Sequence, residues 1–391
     1  MDCELLIVGG GPAGTITALA LAEARPGLAE RTLLVEAATH PRSKPCGGVI
    51  SGRALDVVER LAGALPAVPK TPVRRVEVRS GGQRRRHTLP RAALAVERRA
   101  FDAALMTAVR HRGLAVCEST RLVGLERLEP GDRQSCGWLA RLRGPHGVRE
   151  ITCRVVVGAD GAVGAVRRLS GLPRGIARAR LAFTERPVWD ADAPADTVVF
   201  ELPGNHWLAG YFWSFPAPRA SGLAVRSHGV FHHGRHPPHS LGSLLARRLP
   251  RGAAPGSAVQ RLYQPGLRGS APGVGLVGEA LGADPLSGEG LAQAIGAGER
   301  AAVRLSEIFE RRDFRMGDWC GRVLGPDARV LGQNALVAML AYGSGQAWIT
   351  RQVMASPALA DLALRRFCGL RHSSAERWAV LRRVASAAGL W

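Results

Sequence analysis

Residues 5–36 carry a strand, a glycine turn, a helix and a second strand in unbroken succession. Leu5-Leu6-Ile7-Val8 is a short apolar run, the pattern of a parallel strand buried on both faces. Gly9-x-Gly11-x-x-Gly14 follows at once. This spacing makes a tight turn, brings backbone close to a pyrophosphate and lets the next helix pack against the strand. Pro12 and Ala13 open that helix, predicted over residues 12–24. Its first turn offers free N–H groups and the positive end of a dipole. A second apolar run, Thr32-Leu33-Leu34-Val35, leads to Glu36, at the spacing of a ribose hydroxyl partner. A lone G-x-G-x-x-G is a weak signal in a chain with 48 glycines among 391 residues. Strand, helix and carboxylate in this order predict a dinucleotide site rather than a glycine-rich turn that binds nothing.

Two further turns decide which dinucleotide. Val155-Val156-Val157 is another buried-strand run, and it delivers Gly158-Ala159-Asp160-Gly161. Val274-Gly275-Leu276-Val277 does the same for Gly278-Glu279. Then comes Asp284-Pro285-Leu286-Ser287-Gly288-Glu289-Gly290, followed by a helix predicted from about Gly290 to Arg311. Glycine turns from three distant segments serve a ligand longer than a mononucleotide, which points to FAD rather than NAD.

The chain resembles the FAD-dependent oxidoreductases of the para-hydroxybenzoate hydroxylase type, and within them the geranylgeranyl reductase family. Residues 41–48, Pro-Arg-Ser-Lys-Pro-Cys-Gly-Gly, are similar to that family's P-x-x-K-x-C-x-G stretch. Val96-Glu97-Arg98-Arg99-Ala100-Phe101-Asp102 resembles its V-x-R-x-x-F-D segment, which implies that Arg98 contacts the cofactor. Tyr211-Phe212-Trp213-Ser214-Phe215-Pro216 is similar to its Y-x-W-x-F-P segment at the substrate face. Asp284 to Gly290 resembles its D-P-L-S/T-G-E-G loop beside the flavin, where Pro285, Gly288 and Gly290 would lie. The similarity spans residues 1 to about 310. Glu279 stands where the wider class has Asp, and Gly164 where a hydroxyl residue is commoner. The implied fold is α/β: a Rossmann-like FAD-binding domain interleaved with a β-sheet substrate domain and a helical C-terminal region.

Residues 1–70, 94–175 and 270–312 are expected to build the FAD-binding domain. Residues 71–93 and 176–269 are expected to build the substrate domain, with strands near 197–202, 206–213 and 222–228. Residues 313–391 read as helical, with Leu331, Leu336, Met339 and Leu340 at helical spacing. A hairpin turn is predicted at Ser80-Gly81-Gly82; beside it Arg84-Arg85-Arg86 is the one dense basic run, against a plain solvated loop.

Composition narrows the setting. No apolar run is long enough to span a bilayer. The first strand begins almost at Met1, leaving no room for a signal peptide. Seven cysteines show no C-x-x-C pair and no metal spacing. These features point to a reducing cytoplasm. The net charge is +21, nearly all from arginine, since the only lysines are Lys44 and Lys70. Such a surface can attract an anionic head group, a membrane or an acidic carrier protein. The arginines are scattered, which disfavours nucleic acid.

Individual residues carry competing readings. Cys46 is a candidate proton donor or pocket-lining residue, against a small buried filler. Lys44 is a candidate contact for an anionic substrate, against a loop anchor or a solvated lysine. Trp213 and Phe215 share one strand face, as a substrate wall or as ordinary core; the resemblance adds Tyr211 as a substrate contact. His228, His232, His233, His236 and His239 fall in a presumed loop with no metal template, and no metal is expected.

The implied reaction is hydride transfer from reduced FAD to a C=C bond of an apolar isoprenoid or polyketide-like substrate. With no second G-x-G-x-x-G, NAD(P)H would bind transiently or an external donor would supply electrons. The alternative is an O2-using monooxygenase on the same scaffold. A halogenase is third: its W-x-W-x-I-P motif is absent, and Lys70 lies outside the context of its catalytic lysine. A non-catalytic FAD-binding protein is the remaining class.

Overall fold

The computed structural model describes residues 1–63, 68–128, 137–189, 193–203, 207–237, 239–250, 254–368, 370 and 382. Two sheets organise them. The first is built on parallel neighbours in the order 274–276, 147–158, 3–8, 32–35 and 115–117. Leu5, Leu6, Ile7, Val155, Val156 and Val157 are fully buried in it, as continuous β-branched and aliphatic runs in a covered parallel sheet require. Residues 138–144 pair antiparallel with 147–158, and residues 121–127 pair with 138–144.

The register carries the consequence for function. Val8 pairs with both Val35 and Gly158, and Gly158 pairs with Leu276. Four strands therefore reach their carboxyl ends in one row. Gly9, Glu36, Ala159 and Val277 form the next row, where open parallel sheets bind their ligands. The strand before Glu36 is Thr32–Val35, and the first helix is Pro12–Ala24. That helix crosses the later helix Leu291–Arg311 closely. A Cβ on Gly298 would lie 2.7 Å from the Ala13 carbonyl oxygen.

The second sheet has nine strands, ordered 255–261, 178–184, 225–233, 210–216, 197–201, 70–80, 83–96 and 49–50, with 188–189 paired to 225–233. Residues 49–50 pair with Leu94 and Ala95 of this second sheet, although both segments lie within stretches expected to build the FAD-binding domain. Gly81 and Gly82 turn the hairpin at φ of 54° and 79°, the left-handed pair that a two-residue turn demands. The adjoining arginines lie on a strand, not in a loop, and Arg86 reaches across to the buried Glu77 at 2.6 Å.

Other expectations shift in detail. The strand expected at 206–213 is Gly210–Pro216, and its expected first residue, His206, lies outside the described residues. The strand expected at 222–228 is Val225–His233. It carries His228, His232 and His233, so these are strand residues. No group of three metal-ligating side chains occurs among the described residues.

The described part of the C-terminal region is helical at 319–324, 327–341, 346–355 and 357–367. The expected strip of packed apolar positions is only partly packed. Leu331 is fully buried, but Leu336, Met339 and Leu340 are 66%, 69% and 58% exposed. Helical spacing identifies a helix but does not say which of its faces is covered. Trp319 anchors this region to the first sheet: its indole N–H donates to the Leu276 carbonyl at 2.8 Å. Its ring lies over Gly275, where a Cβ would be 2.4 Å away. No described helix is long and apolar enough to cross a membrane.

Candidate functional site

The row of strand ends opens onto a cleft of about 1660 Å3 between the two sheets. The three motif glycines of the first turn have separate tasks. Gly9 sits at φ 112°, and a Cβ there would meet the Ala159 carbonyl oxygen at 2.4 Å. Gly14 seats the helix on the turn, since a Cβ would lie 2.0 Å from the Gly9 oxygen. Gly11 faces open space, with only an Arg42 nitrogen 3.5 Å from its would-be Cβ. The first and third glycines make the turn, and the second leaves room for a ligand beside unpaired first-turn N–H groups. Gly9, Gly11, Pro12 and Ala13 line the cleft, while Gly14 stands behind it.

Glu36 lines the cleft and is nearly buried. Its Oε2 accepts the Gly10 N–H at 2.7 Å and its Oε1 accepts the Ala38 N–H at 2.9 Å. The remaining lone pairs are available to a ribose hydroxyl. Asp160 accepts the Val166 N–H at 2.8 Å through Oδ2, and its buried Oδ1 has no partner. Burial raises the Asp160 carboxyl above the usual range. Its carboxylate occupies the space that a side chain at residue 164 would fill: a Cβ on Gly164 would sit 2.0 Å from Asp160 Cγ. The unusual glycine is therefore a steric requirement of this turn. Gly161 (φ 76°) and Gly278 (φ 60°) both need left-handed backbone. Gly278 packs on Ala13 behind the cleft wall, and Glu279 lines the cleft.

The 41–48 stretch crosses the cleft. Lys44 Nζ lies 3.8 Å from Glu279 Oε2, so this substrate candidate stands beside a cofactor candidate. Arg98 lines the cleft but donates two hydrogen bonds, both 2.9 Å, to the buried Asp102. The Asp102 carboxylate and the Cys46 sulfur raise the Arg98 guanidinium against the opposing effect of burial. Cys46 is exposed at the cleft edge, with the Gly48 N–H 3.3 Å from its sulfur; it is not a buried filler. Arg42 escaped the sequence reading. It lies 3.6 Å from both Glu36 and Asp102 and nearest to the open side of Gly11. Its place in the 41–48 stretch was the available signal.

Opposite stands an aromatic wall. Tyr211, Trp213 and Phe215 line the cleft on one strand face. Phe200 packs 5.4 Å from Tyr211 and 5.1 Å from Phe215 between ring centres. Phe212 points to the other face, where the Arg248 guanidinium lies 3.7 Å over its ring. Tyr211 does more than line: its hydroxyl donates to the Ser287 carbonyl, tying the wall to the 284–290 loop.

That loop is held from all sides. Asp284 Oδ1 accepts the Leu286 and Ser287 N–H groups at 2.7 and 2.9 Å. Asn334 donates to Asp284, Tyr342 to the Leu286 carbonyl, and Gln260 to the Gly288 carbonyl. None of these three carries a motif, and each arrives by tertiary contact alone. Gly288 and Gly290 line the cleft, while Pro285 is buried behind it. Glu289 accepts the Ala292 N–H at 2.8 Å. Burial, then the nearby Asp284, pushes its carboxyl up to about 7.

Residues 2–206 match the family described as FAD binding domain. The chain belongs to that family. Its architecture is the para-hydroxybenzoate hydroxylase-like one expected of it. Among curated relatives, it is 30% identical over 180 residues to digeranylgeranylglycerophospholipid reductase 2 of Methanothermobacter thermautotrophicus, covering 43% of this chain and 44% of that protein. The chain thus matches less than half of that relative's length. The Methanopyrus kandleri protein of the same name is 25% identical over 343 residues, covering 80% and 79%. A geranylgeranyl bacteriochlorophyll reductase-like structure from Thermoplasma acidophilum superposes with TM-score 0.66 at 20% identity, covering 98% and 95%. The flavin-dependent brominase Bmp2 superposes with TM-score 0.69 at 15% identity, covering 98% and 99%. At these identities the structures share the fold.

The residues present fit FAD. Open space at Gly11, a helix start beside it and Glu36 at the far strand end suit pyrophosphate and ribose. Gly11→Val is expected to give a folded protein without flavin, because the side chain enters the cleft and meets no backbone. A normal 450 nm to 280 nm absorbance ratio in the purified variant would contradict this. Glu289 supplies a second test. Its folded value of about 7 exceeds its ordinary 4.5, so its contribution to stability is complete below pH 4.5 and is lost as the pH rises through 7. Glu289→Gln keeps an acceptor for Ala292 and is expected to flatten the fall in thermal midpoint across that interval. An unchanged slope would assign the pH dependence to other groups.

Proposed function

We propose that this protein reduces a C=C bond of an apolar, isoprenoid or polyketide-like substrate. The observation that carries the reading is the apolar half of the cleft. From Tyr211, Trp213 and Phe215 it continues past Val330, Leu364 and Phe367, giving a channel for a long hydrocarbon chain beside the 41–48 stretch. The similarity to digeranylgeranylglycerophospholipid reductases supports the same reading.

When bound, FAD supplies the hydride. The chain's residues supply position and a proton. Gly11 and the first helical turn would hold the pyrophosphate, Glu36 would hold a ribose, and Asp160, Gly161 and Glu279 would line the rest of the cofactor's path. Gly288 and Gly290, at the start of the 291–311 helix, would flank the ring system, where the dipole favours negative charge. Cys46 holds a proton on Sγ at the cleft edge, and Arg98 stands beside it to face the charge left on sulfur. The aromatic wall excludes water and orients the chain. Lys44, already near Glu279, is better placed to neutralise that carboxylate than to bind a substrate head group. NAD(P)H or an external reductase supplies the electrons.

Anaerobic mixing of dithionite-reduced holoprotein with geranylgeranyl-type alkenes tests this. Oxidised-flavin absorbance should return at a rate that depends on alkene concentration, with a product heavier by two hydrogens. No anaerobic reoxidation, with substrate-dependent oxygen consumption in air, would establish the monooxygenase reading instead.

A further inference from the structure

The helix Asp327–Ala341 is apolar on both sides. Leu331, Ala338 and Ala341 are buried against the protein, while Leu336, Met339 and Leu340 are more than half exposed. A helix with large apolar side chains on a second face leaves that face against water unless something covers it. Three large side chains exposed within five residues form one patch rather than scattered surface leucines. Arg329 lies on the same helical line as Leu336 and Leu340, at steps of seven and eleven residues. Arg351 is exposed on the following helix. Neither arginine forms an ion pair among the described residues, and no Asp or Glu occurs from residue 328 to residue 360.

The patch is also continuous with the cleft: Leu336 and Val337 are exposed, and both line it. We infer that this face docks on an anionic lipid bilayer, with the 327–341 helix lying in the interface and the cleft mouth opening into it. The charge argues for this occupant. Apolar side chains on the same helical line as the unopposed Arg329, on a chain of net charge +21, match a negatively charged lipid surface. The link to the cleft rests on the apolar-substrate reading; the docking does not.

Holoprotein flotation with vesicles, in the absence of substrate, tests the docking by itself. Binding is expected to vesicles of phosphatidylglycerol and phosphatidylcholine, and to be at least about tenfold weaker on phosphatidylcholine alone. Met339→Glu/Leu340→Glu is expected to lower partition at least about tenfold, with flavin content and reduction of a short water-soluble alkene unchanged. Met339→Ser/Leu340→Ser provides the same test without added charge. Full partition by either folded variant, or no binding by the parent protein, would overturn the proposal. A dimer in light scattering that these substitutions dissociate would assign the face to a second copy. A Met339→Cys thiol closed to aqueous maleimide in a monomer without vesicles would assign the cover to the protein itself and overturn the docking. If vesicle binding holds but no alkene is reduced, the docking stands and the proposed reaction fails.

Discussion

The parallel register of the first sheet is the constraint on which the rest depends. Because Val8, Val35, Gly158 and Leu276 share one row, segments far apart in the chain reach the same edge together. Backbone hydrogen bonding fixes that row, so the turns beyond it are placed before any side chain is considered. Gly9 and Gly14 then fold the first turn tightly enough that Gly11 alone is left facing space. A cofactor that bridges adjacent strand ends finds its contacts already spaced, which removes part of the ordering cost of binding.

The second sheet completes the site by tethering. Its aromatic wall would be an ordinary packed face if the 284–290 loop did not reach it. Tyr211 ties wall to loop, while Asn334 and Tyr342 tie the 327–341 helix and its C-terminal end to the same loop. The 284–290 loop, the apolar wall and the 327–341 helix are therefore one connected body. A substrate that fills the apolar half touches elements that also set the position of Gly288 and Gly290.

The local parts of this arrangement were legible in the sequence. Strand runs, glycine spacing and Glu36 follow from short-range geometry, and the alternation of Trp213 and Phe215 with Phe212 and Ser214 placed those two on one face. What escaped was tertiary. Arg42 gains its importance from Glu36, Asp102 and the open side of Gly11, not from any spacing. Gln260, Asn334 and Tyr342 hold a loop whose motif does not name its supports. Gly164 looked like a departure from pattern, yet it vacates the volume that Asp160 fills. For the 327–341 helix, periodicity gave the element but not its surroundings, because apolar residues lie on both faces.

The most direct test of the account is the crystal structure of the FAD-bound protein. The pyrophosphate should lie against Gly11 and the N–H groups that open the 12–24 helix. The ring system should lie between the 46–48 segment and Gly288–Gly290, facing the wall of Tyr211, Trp213 and Phe215. A flavin ring held away from that wall, or a pyrophosphate away from Gly11, would contradict the claim that the strand-end row and the aromatic sheet form one site.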